Sequence, residues 1–212
     1  MRSCCRLCCA GLRGCEMYCV LIAGLPATGK TTLSEYLSRR LDLPVISKDR
    51  IKELLYDTVG FAGRQEKVRL GVAAMDILYY MARQLMERNL PFILENNFED
   101  VSRPGLAALL EEFSYQPVTV MLTGDYLTLY NRFLLRNGSP ERHRGHVVNS
   151  RYPETNPGEE TGYLSYDDFV SGFTARGMDR FSVGGFRIEV DTTDFSKVDL
   201  ESIAERIQRF TE

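Results

Sequence analysis

Apolar positions along this chain fall either in short continuous runs or in longer stretches that repeat every three to four residues. Short runs bounded by polar or turn-forming residues are typical of buried strands, whereas the longer repeat is typical of amphipathic helices. The predicted strands are 18–23, 44–46, 92–94, 118–122 and 186–190, and the predicted helices are 31–41, 50–59, 65–89, 105–113, 126–136, 166–173 and 200–210. This alternation predicts an α/β fold in which a parallel sheet of five strands is covered by helices.

The longest predicted helix, residues 65–89, has one apolar face that we expect to pack on the sheet. Its members are Val68, Val72, Met75, Leu78, Ala82, Leu85 and Met86. The regular pattern then fails between residues 137 and 185, a stretch rich in Gly, Pro, Ser, Asn and Arg with one short helical segment. Because a loop of this length inside a compact domain is usually functional or mobile, we predict a lid over a site.

All six cysteines lie before residue 20, at Cys4, Cys5, Cys8, Cys9, Cys15 and Cys19. A cluster of this kind cannot cross-link a fold through disulfides. Its C-C-x-x-C-C spacing leaves zinc binding and lipidation open, although neither has a second supporting feature. Since Met17 stands directly before the first predicted strand, we predict that residues 1–16 are a disordered extension and that residues 17–212 form the folded domain.

Composition limits the classes of function. The chain has 26 basic and 29 acidic residues, a net charge of -3, and 44% hydrophobic residues, which are ordinary values for a globular protein. A nucleic-acid partner would therefore be bound through a local basic patch. No apolar run approaches the roughly 18 residues of a membrane helix, and Arg6 and Arg13 interrupt any secretory signal. We expect a cytoplasmic protein with no membrane partner.

Residues 24–31 read G-L-P-A-T-G-K-T and match the phosphate-loop pattern G-x-x-x-x-G-K-[ST], between a predicted buried strand and a predicted helix. In this pattern backbone N–H groups surround phosphate oxygens, Lys30 contacts the β- and γ-phosphates, and the Thr31 hydroxyl binds Mg²⁺. The predicted nucleotide-binding residues are Gly24, Leu25, Pro26, Ala27, Thr28, Gly29, Lys30, Thr31 and Thr32. A chance glycine-rich turn is disfavoured by the eight matching positions in this context, so ATP and Mg²⁺ are the predicted cofactors.

Two acidic residues follow predicted strands whose carboxyl ends share one crevice in a parallel sheet. Asp49 is placed to accept the proton of an attacking hydroxyl, and a helix N-cap is an equally weighted alternative. Glu95 is placed to hold Mg²⁺, with a solvent-exposed strand end as the alternative. Asn96 and Asn97 continue into the same crevice, where they either contact a substrate or shape a turn.

Arginines are concentrated after the fourth predicted strand. Arg132 and Arg136 share a helix face, and Arg142, Arg144 and Arg151 follow with only one acidic residue among them. Such a cluster beside a phosphate loop would stabilise the charge on a transferring phosphoryl group, so Arg132 and Arg136 are predicted to be catalytic along with Lys30 and Asp49. The alternative is a solvated loop. The two histidines, at positions 143 and 146, are interpreted as polar loop residues.

With these positions in place, the chain resembles the small P-loop kinases, which contain an AAA-type ATP-binding domain. It is most similar to the predicted-kinase and zeta-toxin-like group, which includes polynucleotide 5′-kinases and chloramphenicol phosphotransferase. The residues that carry the resemblance are 24–32, 48–52 (KDRIK), 93–95 (ILE), Arg132-x-x-x-Arg136 and 139–143 (SPERH). The similarity covers nearly all of residues 17–212, and it is looser over residues 147–185.

The resemblance implies a nucleoside-monophosphate-kinase-like core with a mobile lid over ATP. It also implies that Asp49 meets the acceptor hydroxyl, that Lys52 contacts substrate and that Arg136 is a lid arginine. Residues 190–193, including Thr192, resemble the loop that packs against adenine. Lys52 and Glu95 stand where Arg and Asp are more common in the group.

The predicted function is therefore transfer of the γ-phosphoryl group of Mg-ATP to a hydroxyl. A small molecule and a single-stranded nucleic-acid end are both compatible acceptors. A different class of function is a nucleotide-dependent regulatory switch that hydrolyses ATP without an acceptor. Asp49 and the long lid favour the kinase, because a switch needs no base for an acceptor hydroxyl.

Overall fold

A computed structural model describes residues 17–155 and 164–211 of the 212-residue chain. The predicted extension, residues 1–16, lies outside the described residues together with five of the six cysteines. Cys19 is inside the described part, where it is a buried free thiol.

The sheet has five strands, and all of its pairings are parallel. The strands are β1 (Tyr18–Gly24), β2 (Val45–Ser47), β3 (Phe92–Glu95), β4 (Gln116–Thr123) and β5 (Phe186–Asp191). Their order is β2-β3-β1-β4-β5, so β1 is central and pairs with both β3 and β4. This arrangement confirms the predicted α/β fold with a five-stranded parallel sheet.

Helices connect the strands and cover both faces of the sheet. They are α1 (Lys30–Leu41), α2 (Lys48–Val59), α3 (Arg64–Met86), α4 (Arg103–Glu112), α5 (Tyr126–Gly138), α6 (Arg144–Val147), α7 (Tyr166–Thr174) and α8 (Leu200–Thr211). Short 3₁₀ turns occur at Asp100–Ser102 and Phe195–Lys197. No helix within residues 17–155 and 164–211 is long and apolar enough to cross a membrane.

The core lies on both sides of β1, because side chains alternate across a strand. Cys19, Leu21 and Ala23 pack under α3 and α4 on one face. Val20 and Ile22 pack under α1 and α8 on the other. A central strand that is buried on both faces has to be apolar throughout, and this explains the continuous run seen in the sequence. The connections from β1, β2 and β3 all leave the sheet at its carboxyl edge.

The first half of α3 differs from its predicted packing. Val68 and Val72 are exposed to 51% and 57%, whereas Lys67 is buried. This part of the helix packs against α2 and residues 146–149, and the Lys67 Nζ donates to the carbonyl oxygens of His146 at 2.9 Å and Val148 at 2.5 Å. The apolar face expected to reach the sheet does so only from Met75 onward.

Part of the predicted lid region packs closely against the rest of the protein. Phe169 and Phe173 of α7 contact α5 and Leu25 of the β1–α1 loop. Farther upstream, Phe61 and Tyr152 form an antiparallel bridge, with N···O distances of 2.8 and 2.9 Å. The sequence pattern missed α6, which spans only four residues. Movement of residues 137–185 as a lid stays a prediction.

Candidate active site

The loop between β1 and α1 has a backbone that only certain residues can adopt. Gly24 has φ +132°, and a Cβ built there would lie 2.2 Å from the Leu122 carbonyl oxygen. Ala27 (φ 64°) and Gly29 (φ 87°) are left-handed, and α1 begins immediately afterwards at Lys30. Left-handed turns of this kind bring successive N–H groups together, and the helix N-terminus adds positive potential. The loop therefore has the conformation of an anion-binding turn.

Lys30 lies beneath this loop with 8% of its surface exposed. Its Nζ donates to the carbonyl oxygens of Gly24 at 3.0 Å and Leu25 at 2.6 Å. Burial lowers the pKa of Lys30 to about 8, against the opposing influence of the carboxylates Glu95 and Asp49. A buried ammonium group that rests only on neutral carbonyls is a ready partner for an anion, because an anion would compensate its charge.

Thr31 and Glu95 provide oxygen ligands suited to Mg²⁺. The Thr31 hydroxyl donates to Glu95 Oε1 at 2.9 Å, and Glu95 is 5% exposed at the end of β3. The alternative of a solvent-exposed strand end for Glu95 is therefore wrong. Within residues 17–155 and 164–211 no group of three or more His, Cys, Asp and Glu side chains could hold a metal ion. One hydroxyl and one carboxylate fit Mg²⁺, which is usually bound by one or two protein oxygens together with phosphates and water.

Asp49 is the second residue of α2, and the N-cap of that helix is Ser47. The N-cap alternative for Asp49 is therefore wrong. Its side chain is 46% exposed, and Oδ1 lies 3.8 Å from Lys52 Nζ. Burial tends to raise the pKa of Asp49, but positive charge on His146, Lys52, Arg142 and Lys30 outweighs this effect and holds the pKa below its usual range. Asp49 is thus an ionised carboxylate without a hydrogen-bonded partner among the described residues.

Arg136 and Arg142 both point a guanidinium into this group of charges. Each has a buried Nε that donates to no acceptor in the described part of the chain. Burial lowers the pKa of Arg136, as does the charge of Arg142, while Asp49 and Glu95 raise it. Arginine stays charged despite such shifts. Buried charged donors without an acceptor are costly, so an anion at this position would relieve an unfavourable arrangement.

The Arg132 guanidinium has different partners from those of Arg136 and Arg142. Its Nη1 donates to the Thr192 carbonyl oxygen at 2.6 Å, and its Nη2 donates to that of Thr193 at 2.8 Å. Both ends of the guanidinium are thereby used in holding the loop after β5, and contact of Arg132 with a transferring phosphoryl group stays a prediction. Arg144 is also paired, through two hydrogen bonds to Glu154 of 2.8 and 2.6 Å.

The other predicted positions are distributed around the loop. Thr192 is fully buried, and its hydroxyl donates to the Thr123 carbonyl oxygen at 2.7 Å, which fixes the turn after β5. Thr32 is exposed on α1. Asn96 accepts from the N–H of Asn97 at 2.8 Å and is itself half-buried beyond β3. Asn96 thereby stabilises the turn, and contact of Asn96 or Asn97 with a substrate stays a prediction.

Sequence reasoning missed the second wall of the crevice, where α6 meets α2. His146 has a side chain only 5% exposed, and its Nε2 lies 3.1 Å from Glu53 Oε1. His143 Nδ1 accepts from the Gly145 N–H, so its Nε2 carries the proton and donates to Asp57 at 3.0 Å. Both histidines therefore bind α2, and the prediction that they are simple polar loop residues is wrong.

Tyr56 occupies the centre of this wall. It is fully buried, its hydroxyl has no partner among the described residues, and its ring lies 5.7 Å from that of His146. A Cβ on Gly145 would fall 2.4 Å from the Tyr56 ring, so residue 145 has to be glycine for α6 to approach. The glycine before His146 is the only sequence signal that could have indicated this contact.

A cavity of about 610 Å³ lies at the other end of α2, where Gly60, Phe61, Leu70, Arg151 and Tyr152 are among its lining residues. Gly60 follows Asp49 by eleven residues along α2, a distance of roughly 16 Å at 1.5 Å per residue. The cavity is therefore separate from the group formed by Lys30, Asp49, Glu95 and Arg136.

Comparison with known proteins agrees with this geometry. Residues 20–155 match a family described as an AAA domain. The structure of a candidate kinase from Chloroflexus aurantiacus is 27% identical, with a TM-score of 0.75 over 91% of this chain and 97% of its own. No curated protein matches the chain.

Two more distant structures share the fold alone. A sugar kinase from Janibacter sp. is 11% identical, with a TM-score of 0.53 over 92% of this chain and 94% of its own. A shikimate kinase from Bacteroides thetaiotaomicron is 18% identical, with a TM-score of 0.52 over 91% of this chain and 97% of its own. The family match covers more than half of the sequence, from β1 to the 61–152 bridge. The chain therefore belongs to the AAA domain family, and its five-stranded parallel core is that of a P-loop kinase.

Proposed function

We propose that this protein transfers the γ-phosphoryl group of Mg-ATP to a hydroxyl group of a small molecule. The observation that carries the proposal is the arrangement beside the β1–α1 loop. Lys30 rests on neutral carbonyls, while Arg136 and Arg142 each have a buried Nε without an acceptor. The carboxylate Asp49 faces the same charges. Cations that have no hydrogen-bonded anion, together with an ionised carboxylate, are suited to phosphoryl transfer from a nucleotide to a hydroxyl.

Each residue has a chemical role in this proposal. Lys30 exchanges the Gly24 and Leu25 carbonyls for β- and γ-phosphate oxygens, and Arg136 neutralises charge on the phosphoryl group in transit. Asp49 orients the acceptor hydroxyl and takes its proton. A carboxylate with a lowered pKa is a weak base, which suits a largely dissociative transition state in which the proton leaves late.

Thr31 and Glu95 are the residues that would hold Mg²⁺, which supplies electrostatic stabilisation of the phosphate charge when bound. On the other side of the loop, we assign the turn at Thr192 to the adenine base. Arg132 is the positioning residue for that turn, since it binds the carbonyls of Thr192 and Thr193.

Three further residues are assigned to the acceptor side. Lys52 lies one helical turn from Asp49 on α2, and Asn96 and Asn97 follow Glu95 at the end of β3. Similarity to the zeta-toxin-like and polynucleotide 5′-kinase group remains part of this proposal. A small-molecule acceptor is preferred over a nucleic-acid end because two proteins with this fold, named above, are a sugar kinase and a shikimate kinase.

The test is the dependence of phosphoryl transfer on Lys30 and Asp49. A panel of hydroxyl compounds and 5′-hydroxyl oligonucleotides is screened with γ-labelled ATP, followed by the variants Lys30→Met and Asp49→Asn. Lys30→Met is expected to lose ATP binding. Asp49→Asn should retain ATP affinity and lose transfer by about 10²- to 10⁴-fold, with the lower end favoured by a dissociative transition state.

Asp167→Asn is the matched control. Asp167 is the second residue of α7, as Asp49 is of α2, and it is exposed. Both substitutions remove a carboxylate from the first helical turn, so helix-dipole effects are equal. ATP hydrolysis that needs no acceptor and persists in Asp49→Asn would instead identify a nucleotide-dependent switch.

A further inference from the structure

The second wall of the crevice has an excess of positive charge. We call the side chains of Lys52, Lys67 and Arg142 the basic wall. Lys67 donates only to uncharged oxygens, namely the carbonyls of His146 and Val148 and the amide oxygen of Asn149. The Arg142 guanidinium has no hydrogen bond or ion pair with a described residue, and its Nε is buried. Lys52 Nζ lies 3.8 Å from Asp49 and 5.7 Å from the centre of the Tyr56 ring, and it makes no hydrogen bond to a described residue.

Two carboxylates near the basic wall, Glu53 and Asp57, already have other partners. Glu53 accepts from Arg50 at 3.1 Å and lies 3.1 Å from His146. Asp57 accepts from His143 at 3.0 Å and from the Tyr152 hydroxyl at 2.7 Å. Asp49 and Glu53 both act on the charge of Arg142, but Glu53 is already paired with Arg50 and His146. In the proposed function Asp49 has to remain available to the acceptor hydroxyl.

Buried cations without counter-ions are unfavourable because burial removes their hydration. Burial lowers the pKa of Lys67 to about 7, and the charges of Lys52, Arg64 and Arg142 lower it further. Burial also lowers the pKa of Arg142, while Asp49 opposes the shift. Lowered pKa values of both cations are expected at a positively charged site that lacks an anion.

We infer that the acceptor alcohol itself carries an anionic group, a carboxylate or a phosphate, and that Lys52 and Arg142 bind this group while its hydroxyl meets Asp49. The inference rests on the proposed kinase function. Asp49 and Lys52 are three residues apart on α2, where side chains lie about 5–6 Å from each other. The hydroxyl and the anionic group are therefore separated by only a few bonds, as in a hydroxy acid or a phosphorylated polyol.

Thermal unfolding of the full chain tests this in two steps. Mg²⁺ with a non-hydrolysable ATP analogue is added first, so that the β1–α1 loop is filled. D-gluconate, its neutral counterpart D-sorbitol, or inorganic phosphate is then added at constant ionic strength. Gluconate or phosphate at ten times its Kd should raise Tm by a further 3 to 6 °C, roughly, and sorbitol should leave Tm unchanged. The gluconate and phosphate arms distinguish a carboxylate site from a phosphate site.

Variants show whether the basic wall causes the shift. Arg142→Met should abolish the anion-induced shift and keep the nucleotide-induced one. Lys52→Met changes a side chain that is 21% exposed. It should also abolish the anion-induced shift, and it replaces Arg142→Met as the test if that variant folds poorly. Arg69→Met is the control, because Arg69 is exposed to solvent on α3 and belongs neither to the nucleotide site nor to the basic wall.

The outcomes are distinguishable. Equal anion shifts in the wild type and in both variants, equal shifts from gluconate and sorbitol, or no shift from either anion would overturn the inference while the kinase proposal stands. Absence of a nucleotide-induced shift, or its persistence in Lys30→Met, would remove the proposed function and this inference with it.

Discussion

Arg132 and Arg136 are identical residues one turn apart on α5, yet the structure gives them different surroundings. Arg132 makes two hydrogen bonds to the carbonyls of Thr192 and Thr193, at 2.6 and 2.8 Å. Arg136 has a buried Nε with no described acceptor. We therefore expect Arg132→Met to act on stability and nucleotide binding, and Arg136→Met to act on the chemical step.

The magnitude for Arg132 follows from these two bonds. Hydrogen bonds to a charged group contribute roughly 1.5–3 kcal/mol each. Because the Arg132 side chain is only partly buried, the freed carbonyls regain water, so the total loss is about 2–3 kcal/mol rather than twice that value. In a domain of this size such a loss lowers Tm by about 4–12 °C. Arg136→Met removes no hydrogen bond seen in the structure and should change Tm by about 2 °C or less.

The kinetic expectations differ in the same way. Without Arg132 the turn at Thr192 is less well fixed, and the Kd for ATP should rise about three- to thirtyfold, which corresponds to roughly 0.7–2 kcal/mol. Its kcat should change little. Arg136→Met should leave ATP affinity within a few fold and lower kcat by about 10²- to 10³-fold, the usual effect of removing one transition-state donor.

Thermal unfolding by circular dichroism and steady-state kinetics on both variants are the assays. Arg132→Lys adds a third measurement, since an ammonium cannot reach two carbonyls in the planar geometry of a guanidinium and should restore only part of the lost stability. The reasoning is refuted if Arg132→Met keeps the wild-type Tm and loses as much kcat as Arg136→Met.

Three further predictions can be checked independently. Because bound phosphates favour the charged form of Lys30, whose pKa is about 8 in the free protein, ATP binding takes up a proton above pH 8. The Kd for ATP should then rise by up to about tenfold per pH unit above 8, and a profile of the same slope in Lys30→Met would contradict this. Gly24→Ala should destabilise the fold by at least about 3 kcal/mol, since its Cβ would lie 2.2 Å from a backbone oxygen. Gly71→Ala, where a Cβ meets nothing within 4 Å, should be stabilising in the same denaturant titration. Deletion of residues 1–16 should leave Tm and nucleotide binding unchanged, and a large fall in Tm would show that the cysteine-rich segment is structural.

The sequence by itself determined the fold class and the loop between β1 and α1. All five strands were predicted, because a strand buried on both faces needs a continuous apolar run that is visible locally. The pattern at residues 24–31 combines a strand end, left-handed backbone positions and a helix start within eight residues. Information of this kind is contained in neighbouring residues and does not depend on distant contacts.

Tertiary structure alone decided what lies opposite each helix face. Helical spacing placed Arg132 and Arg136 on one side of α5, but the turn after β5 reaches only Arg132. It grouped Val68 and Val72 with the core face of α3, yet residues 146–149 cover Lys67 instead. A periodic pattern determines which side chains share a face, because that depends on the rise and rotation of the helix. The partner of that face is brought there by distant parts of the chain, and their position is set by the packing of the whole domain.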